Sequence, residues 1–162
     1  MTLKAIFPRH TGPARLEHVN INVIDPKRTA DMLCRLFGWS IRWEGPSINQ
    51  GRSVHVGSQS DYLALYSNDD VRAAKPATRK TSASLNHVAL VVDDIDSIER
   101  RVVSEGFTPH SFADYEPGQR FYFHDFDDVE YEVVSYGEPD LSFWDKFRKE
   151  LSHIARNSVL FK

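Results

Sequence analysis

The chain has 162 residues, 41% of them hydrophobic and 27% charged, which suits one compact domain or two small halves sharing a core. A formal charge of −3, with the basic residues scattered, gives no electrostatic basis for nucleic acid or an anionic membrane as a partner. The single Cys34 excludes an intramolecular disulfide, and no long apolar run marks a leader or a membrane span, so the expected location is the cytoplasm.

Residues 1–14 hold two prolines and a glycine and read as an irregular lead-in. RLEHVNINVI then alternates, with Val19, Ile21 and Val23 on one side and His18, Asn20 and Asn22 on the other, the period of a strand. Asp25 can cap and Pro26 can open a helix whose apolar positions Ala30, Leu33, Cys34 and Phe37 recur at helical spacing up to Gly38. Cys34 therefore reads as a small core residue. Strand-like pieces follow at 39–44, 52–57 and 61–67, separated by turn-rich GPSINQG and SQSD. Residues 68–84 are polar and read as a linker.

The second half repeats that order. LNHVALVV is a strand, Asp94 can cap a helix with Ile95, Ile98 and Val102 on one stripe, and Gly106 can end it. FTPHSF, RFYFHDF and EYEVVSY supply three more strands. The histidines at 18 and 87 and the glycines at 38 and 106 keep one spacing to within a residue, which points to an internal duplication of a βαβββ unit. Apart from Glu132, the acidic stretch DFDDVEYE reads as a solvated hairpin. In the tail, 140–162, Trp144, Phe147, Leu151 and Ile154 share one helical face, so an amphipathic helix is expected there.

Two βαβββ modules, each opening on a strand-borne histidine, with the second closing on FYFHDFDDVEYEVV, resemble the vicinal oxygen chelate superfamily. That group includes glyoxalase I, the bleomycin- and fosfomycin-resistance proteins and the extradiol dioxygenases. The resemblance covers residues 15–136. The family closes on an aromatic strand, then Asp-Pro-x-Gly, then a metal-binding Glu. Here Asp125 keeps the Asp, Phe126 replaces the Pro, Asp128 replaces the Gly, and Glu132 falls at the ligand position.

The resemblance implies an α+β fold in one domain, with modules at 15–67 and 85–136 forming curled mixed sheets around a cleft, to which the tail adds the C-terminal helix read from its own spacing. It implies His18, His87 and Glu132 as metal ligands. The fourth slot, on the last strand of module one, falls on Ala64. Strand parity agrees: each of these positions lies opposite the apolar set that packs on a helix. Two imidazoles and one carboxylate leave about three octahedral positions open, which favours Fe(II), with Mn, Ni or Zn as alternatives. The family chemistry is chelation of two neighbouring substrate oxygens by an ion acting as Lewis acid. Extradiol dioxygenases carry a Tyr about ten residues before the Glu, which here is Tyr122, a candidate catalytic residue. Asn20, Asn22, His55, Tyr62, Tyr66, Arg120 and His124 are candidates for substrate binding, and His110 and His124 for acid–base work. The implied function is a metal-dependent dioxygenase or glyoxalase-like lyase or isomerase acting on a small molecule. The alternative is a metal-free, bleomycin-resistance-like protein that sequesters one. A homodimer is expected, because the short linker and the apolar tail offer surface to share.

Overall fold

The computed structural model describes residues 12–73, 82–115 and 118–136. Residues 1–11 of the lead-in, 74–81 of the linker and the tail expected as a helix over 140–162 lie outside the described residues. The element order is β1 (His18–Asn22), α1 (Pro26–Phe37), β2 (Ser40–Pro46), β3 (Arg52–Gly57), β4 (Tyr62–Ser67), β5 (Val88–Val91), α2 (Ile95–Ser104), β6 (His110–Tyr115), β7 (Gly118–His124) and β8 (Glu130–Ser135). The duplicated βαβββ order read from the sequence is present, and the fold is α+β.

Local chemistry sets the helix ends. The Asp25 side chain accepts hydrogen bonds from the backbone N–H groups of Lys27 and Arg28, satisfying two donors that have no partner within the helix. Gly38 ends α1 at φ 69°, its N–H donating to the Cys34 carbonyl at 3.0 Å. Asp94 repeats the cap on α2 by accepting from Ser97 N–H at 2.8 Å, and Gly106 follows that helix at φ 88°.

Each module makes one four-stranded sheet, ordered β1-β4-β3-β2 and β5-β8-β7-β6. The first strand runs parallel to the fourth in each, and the other neighbours are antiparallel. Alternation then gives each sheet a helix side and an open side. Ile21, Val56, Leu63 and Leu65 are buried with α1, and Phe121, Phe123, Tyr131 and Val133 are buried in the second module. The halves share one core: the Phe37 and Phe123 rings lie 6.4 Å apart, Arg101 donates to the Leu36 carbonyl, and Arg35 forms a two-pronged ion pair with Glu105. No helix of the described residues is long and apolar enough to cross a membrane.

Two expectations are corrected. The strand read at 107–112 starts at His110, because Phe107 N–H bonds the Val102 carbonyl at 3.1 Å and so belongs to the end of α2. The acidic hairpin is not solvated throughout: Asp125 is 8% exposed and Glu130 5%. Asp125 Oδ1 accepts from the N–H groups of Asp127 and Val129 at 2.9 and 3.0 Å, and Oδ2 accepts from the Tyr131 hydroxyl at 3.2 Å. Its carboxylate thus knots the turn from inside. Burial pushes the Asp125 carboxyl above its usual range, partly offset by those N–H donors. Asp128, standing where the family has Gly, adopts φ 64°, the left-handed conformation such a turn needs and that Asp tolerates better than most residues. Phe126, standing where the family has Pro, receives the Arg28 guanidinium 3.6 Å from its ring centroid.

Candidate functional site

The parallel pairing of β5 with β8 places Ala89 opposite Glu132, so His87, two residues back on the same side, reaches over the Glu132 carboxylate. His87 Nε2 lies 3.0 Å from Glu132 Oε2. The other carboxylate oxygen, Oε1, accepts from the Tyr122 hydroxyl at 2.8 Å and from Arg120 Nη1 at 3.1 Å. Tyr122 sits directly opposite Glu132 in the antiparallel β7–β8 register. Four expected site residues therefore meet on the open side of the second sheet: Tyr122, Arg120, His87 and Glu132.

The first sheet repeats this register with different side chains. Asn20 pairs with Ala64, as Ala89 does with Glu132, so Ala64 occupies the place equivalent to Glu132. His55 lies opposite Ala64 as Tyr122 lies opposite Glu132, and Trp43 lies opposite His55 as His110 lies opposite Tyr122. The result is an aromatic row. The His18 and Tyr62 rings stack at 4.9 Å, His55 and Tyr62 at 4.7 Å, and Trp43 tilts on His55 at 4.9 Å. Burial in this row lowers the His55 pKa, and the His18 ring nearby adds to that. A neutral His55 imidazole is the form that this setting favours.

His18, which opens β1, and His87, which immediately precedes β5, are held in the same way. His18 Nδ1 bonds the Glu17 carboxylate, and His87 Nδ1 bonds Asn86 Oδ1 at 2.7 Å. In each the residue just before the histidine engages Nδ1, an arrangement that outer groups adopt around metal-binding imidazoles. His18 also lowers the Glu17 pKa through their hydrogen bond.

A divalent ion is implied by the family, and the donors on the second sheet fit one. Two ligands at about 2.1 Å from an ion, set at right angles, stand about 3.0 Å apart, and His87 Nε2 and Glu132 Oε2 are separated by 3.0 Å. His18 lies on the other sheet. Among the described residues the donors that converge in a group of three are those of His110, His124 and Glu130, not His18, His87 and Glu132.

The remaining expected residues are spread along the open sides. Asn20, Asn22 and Tyr66 line a cavity of about 720 Å³ with Arg72 and Asp127, at the far end of β1 from His18. That cavity does not contain the His87–Glu132 pair, so its size alone does not mark the site. His124 joins His110 and Glu130. Sequence reasoning missed Glu130 as a buried group, although its alternation with Glu132 put both carboxylates on one side of β8.

The sequence model of the glyoxalase/bleomycin resistance protein/dioxygenase superfamily matches residues 17–123. No curated protein matches the chain. Among solved structures, a glyoxylase/bleomycin resistance protein/dioxygenase domain from Frankia sp. EAN1pec is similar, with a TM-score of 0.65 at 17% identity over 76% of this chain and 98% of that one. The fosfomycin resistance protein FosX from Listeria monocytogenes, complexed with Mn(II) and sulfate, gives 0.60 at 17% identity over 81% and 97%. TnmS3, an antibiotic-binding protein from Streptomyces sp. CB03234, gives 0.59 at 17% identity over 78% and 98%.

Proposed function

The chain belongs to the glyoxalase/bleomycin resistance protein/dioxygenase superfamily, and on that premise we propose that it is a metal-dependent enzyme acting on a small organic substrate held through neighbouring oxygens. His18, His87 and Glu132 are the ligands in this reading. The observation that carries it is the His87 Nε2–Glu132 Oε2 pair at 3.0 Å, set by a β5–β8 register that β1 and β4 repeat around His18.

His18 joins the pair from a second copy of the chain. Supporting this, His18 does not converge with His87 and Glu132 within one chain. The open sides of the two edge strands also stay accessible: His18, Asn20 and Asn22 are exposed on β1, and Ala89 and Val91 on β5, Val91 at 68%. A homodimer that sets β1 of one copy against β5 of the other covers both strands and completes the ligand set.

An ion bound there supplies Lewis acidity to two adjacent substrate oxygens. The chain's own groups do the rest. Tyr122, its hydroxyl 2.8 Å from Glu132 Oε1, is placed to donate to a substrate oxygen beside the ligands and to take up or release its proton. Arg120 at 3.1 Å holds the same carboxylate oxygen and fixes its orientation. Across the cleft, the side chains of His55, Tyr62, Tyr66, Asn20 and Asn22 bind the body of the substrate. Fe(II) with ring-cleaving dioxygenation leads, and Mn, Ni or Zn with lyase or isomerase chemistry follows.

Two observations favour a second reading, a metal-free binding protein. Arg120 already neutralises part of the Glu132 charge, and Ala64 supplies no donor. Metal content separates the two readings. Protein purified without chelators and reconstituted with Fe(II), Mn(II), Ni(II) or Zn(II) holds an ion that His87→Ala removes if the first reading is right. No bound ion under any of these conditions sinks it. Oxygen uptake with a panel of catechols after anaerobic Fe(II) loading then separates dioxygenation from isomerisation.

A further inference from the structure

Beyond the His87–Glu132 pair, the same sheet carries a second set of donors. His110 on β6, His124 on β7 and Glu130 on β8 come from three adjacent strands, His124 directly opposite Glu130. His110 Nε2 lies 3.1 Å from His124 Nδ1, with the two rings stacked at 5.1 Å. Glu130 Oε1 lies 4.0 Å from His110 Nε2 and 3.9 Å from His124 Nε2.

Three features make this more than a chance grouping. The Glu130 carboxylate is 4% exposed while the imidazoles are 33% and 39% exposed, so a sealed anion faces two nitrogens that solvent can reach. The β6–β7 register also slips just after His110, and Ser111 takes φ 53°, an uncommon conformation for a residue other than Gly. Such a bulge re-aims the side chain beside it, here toward His124. Finally, His110 Nδ1 lies 3.0 Å from Ser111 Oγ, so the ring is held through Nδ1, as outer groups hold a metal-binding imidazole, and Nε2 faces the cluster.

We propose that His110, His124 and Glu130 form a second divalent-ion site, separate from the His18–His87–Glu132 set, that takes a borderline transition ion such as Zn(II). Two imidazoles and one carboxylate favour such an ion over Mg(II) or Ca(II). A tetrahedral ion with bonds of about 2.0–2.1 Å spaces its donors about 3.3 Å apart, between the 3.1 Å and 4.0 Å separations present. One donor atom from each of the three residues lies within 4.8 Å of the others. The exposed imidazole side leaves a position for water or another ligand, and the site does not depend on the function proposed above.

Equilibrium dialysis of the full chain against Zn(II) tests it. One ion per chain is expected to weaken by about 100-fold or more in His124→Gln and in His110→Gln, and to persist in Glu132→Gln and His87→Ala. Unchanged binding in both histidine variants overturns the site, as does loss of all bound Zn(II) in Glu132→Gln. Circular dichroism checks that the variants fold. Should they not, diethyl pyrocarbonate labelling of the unaltered protein decides: Zn(II) shields His110 and His124 together if they share an ion. Equal labelling with and without Zn(II) overturns the proposal.

Discussion

Replacing Glu132 by Gln separates its part in holding the sheet from its part in binding an ion. The carboxylate accepts from Tyr122 and Arg120 through Oε1 and faces His87 through Oε2. An amide keeps this shape, with its oxygen toward Tyr122 and Arg120 and its NH2 toward the His87 nitrogen. What changes is the charge. The charge-assisted Tyr122 bond, worth about 1.5–3 kcal/mol, becomes a neutral one worth about 1 kcal/mol, a loss of about 0.5–2 kcal/mol, while the Arg120 bond stays charge-assisted through its guanidinium and loses only its ionic partner. Both groups are nearly buried, Glu132 at 7% and Arg120 at 12% side-chain exposure, so little of that ion pair is screened. In urea the midpoint falls by up to about 1 M. The ion adds a second effect: at a hundred times its Kd it stabilises the folded protein by about 2.7 kcal/mol. Urea titrations at fixed protein concentration, with and without Mn(II), in a His124→Gln background that removes the second cluster, read both effects. The parent background is expected to gain about 2.7 kcal/mol and the Glu132→Gln variant nothing. An equal gain in both refutes Glu132 as a ligand.

Two further perturbations test the frame around the site. Asp125 has a carboxyl raised by burial, so the folded state holds its proton more tightly than the unfolded chain does. Its contribution to stability is full below the ordinary Asp range, about pH 3.9, and is lost as pH rises through the raised folded value. Asp125→Asn is therefore expected to gain on the parent protein as pH climbs from 4 to 7, and parallel urea midpoints across that range contradict the assignment. Gly38→Ala puts a Cβ where nothing lies within 4 Å, at φ 69°, so the cost is backbone strain alone, about 1 kcal/mol. An unchanged midpoint means that the helix end can rearrange.

The fold was legible because duplication wrote it twice. Parity in HVNINVID and HVALVVDD put His18 and His87 on the same side of their modules, His18 at the start of β1 and His87 just ahead of β5 rather than within it, and the Asp–Pro and Asp–Ile helix starts fixed α1 and α2 through side-chain caps. The alignment of Glu132 with Ala64 was also readable, and the strand registers bear it out. Less was legible where a local irregularity decides the outcome. The slip after His110 depends on a positive φ at Ser111, a residue with no sequence signal for it. Asp125 and Glu130 looked like solvent-facing charges in an acidic run. Their burial follows from which neighbours the sheet sets against them, Tyr131 for one and two histidines for the other.

In the proposed dimer one copy's His18 meets another copy's His87 and Glu132 around an ion. Mixing two defective variants, His18→Ala and Glu132→Gln, each in a His124→Gln background, tests it most directly. In a mixed dimer one cleft carries both defects and the other carries neither. Dialysis of the refolded mixture against Mn(II) is therefore expected to recover about one ion per mixed dimer, by simple counting of the intact clefts, although each variant alone binds none. If mixing restores nothing while the unaltered protein binds the ion, the ligands do not meet across a dimer.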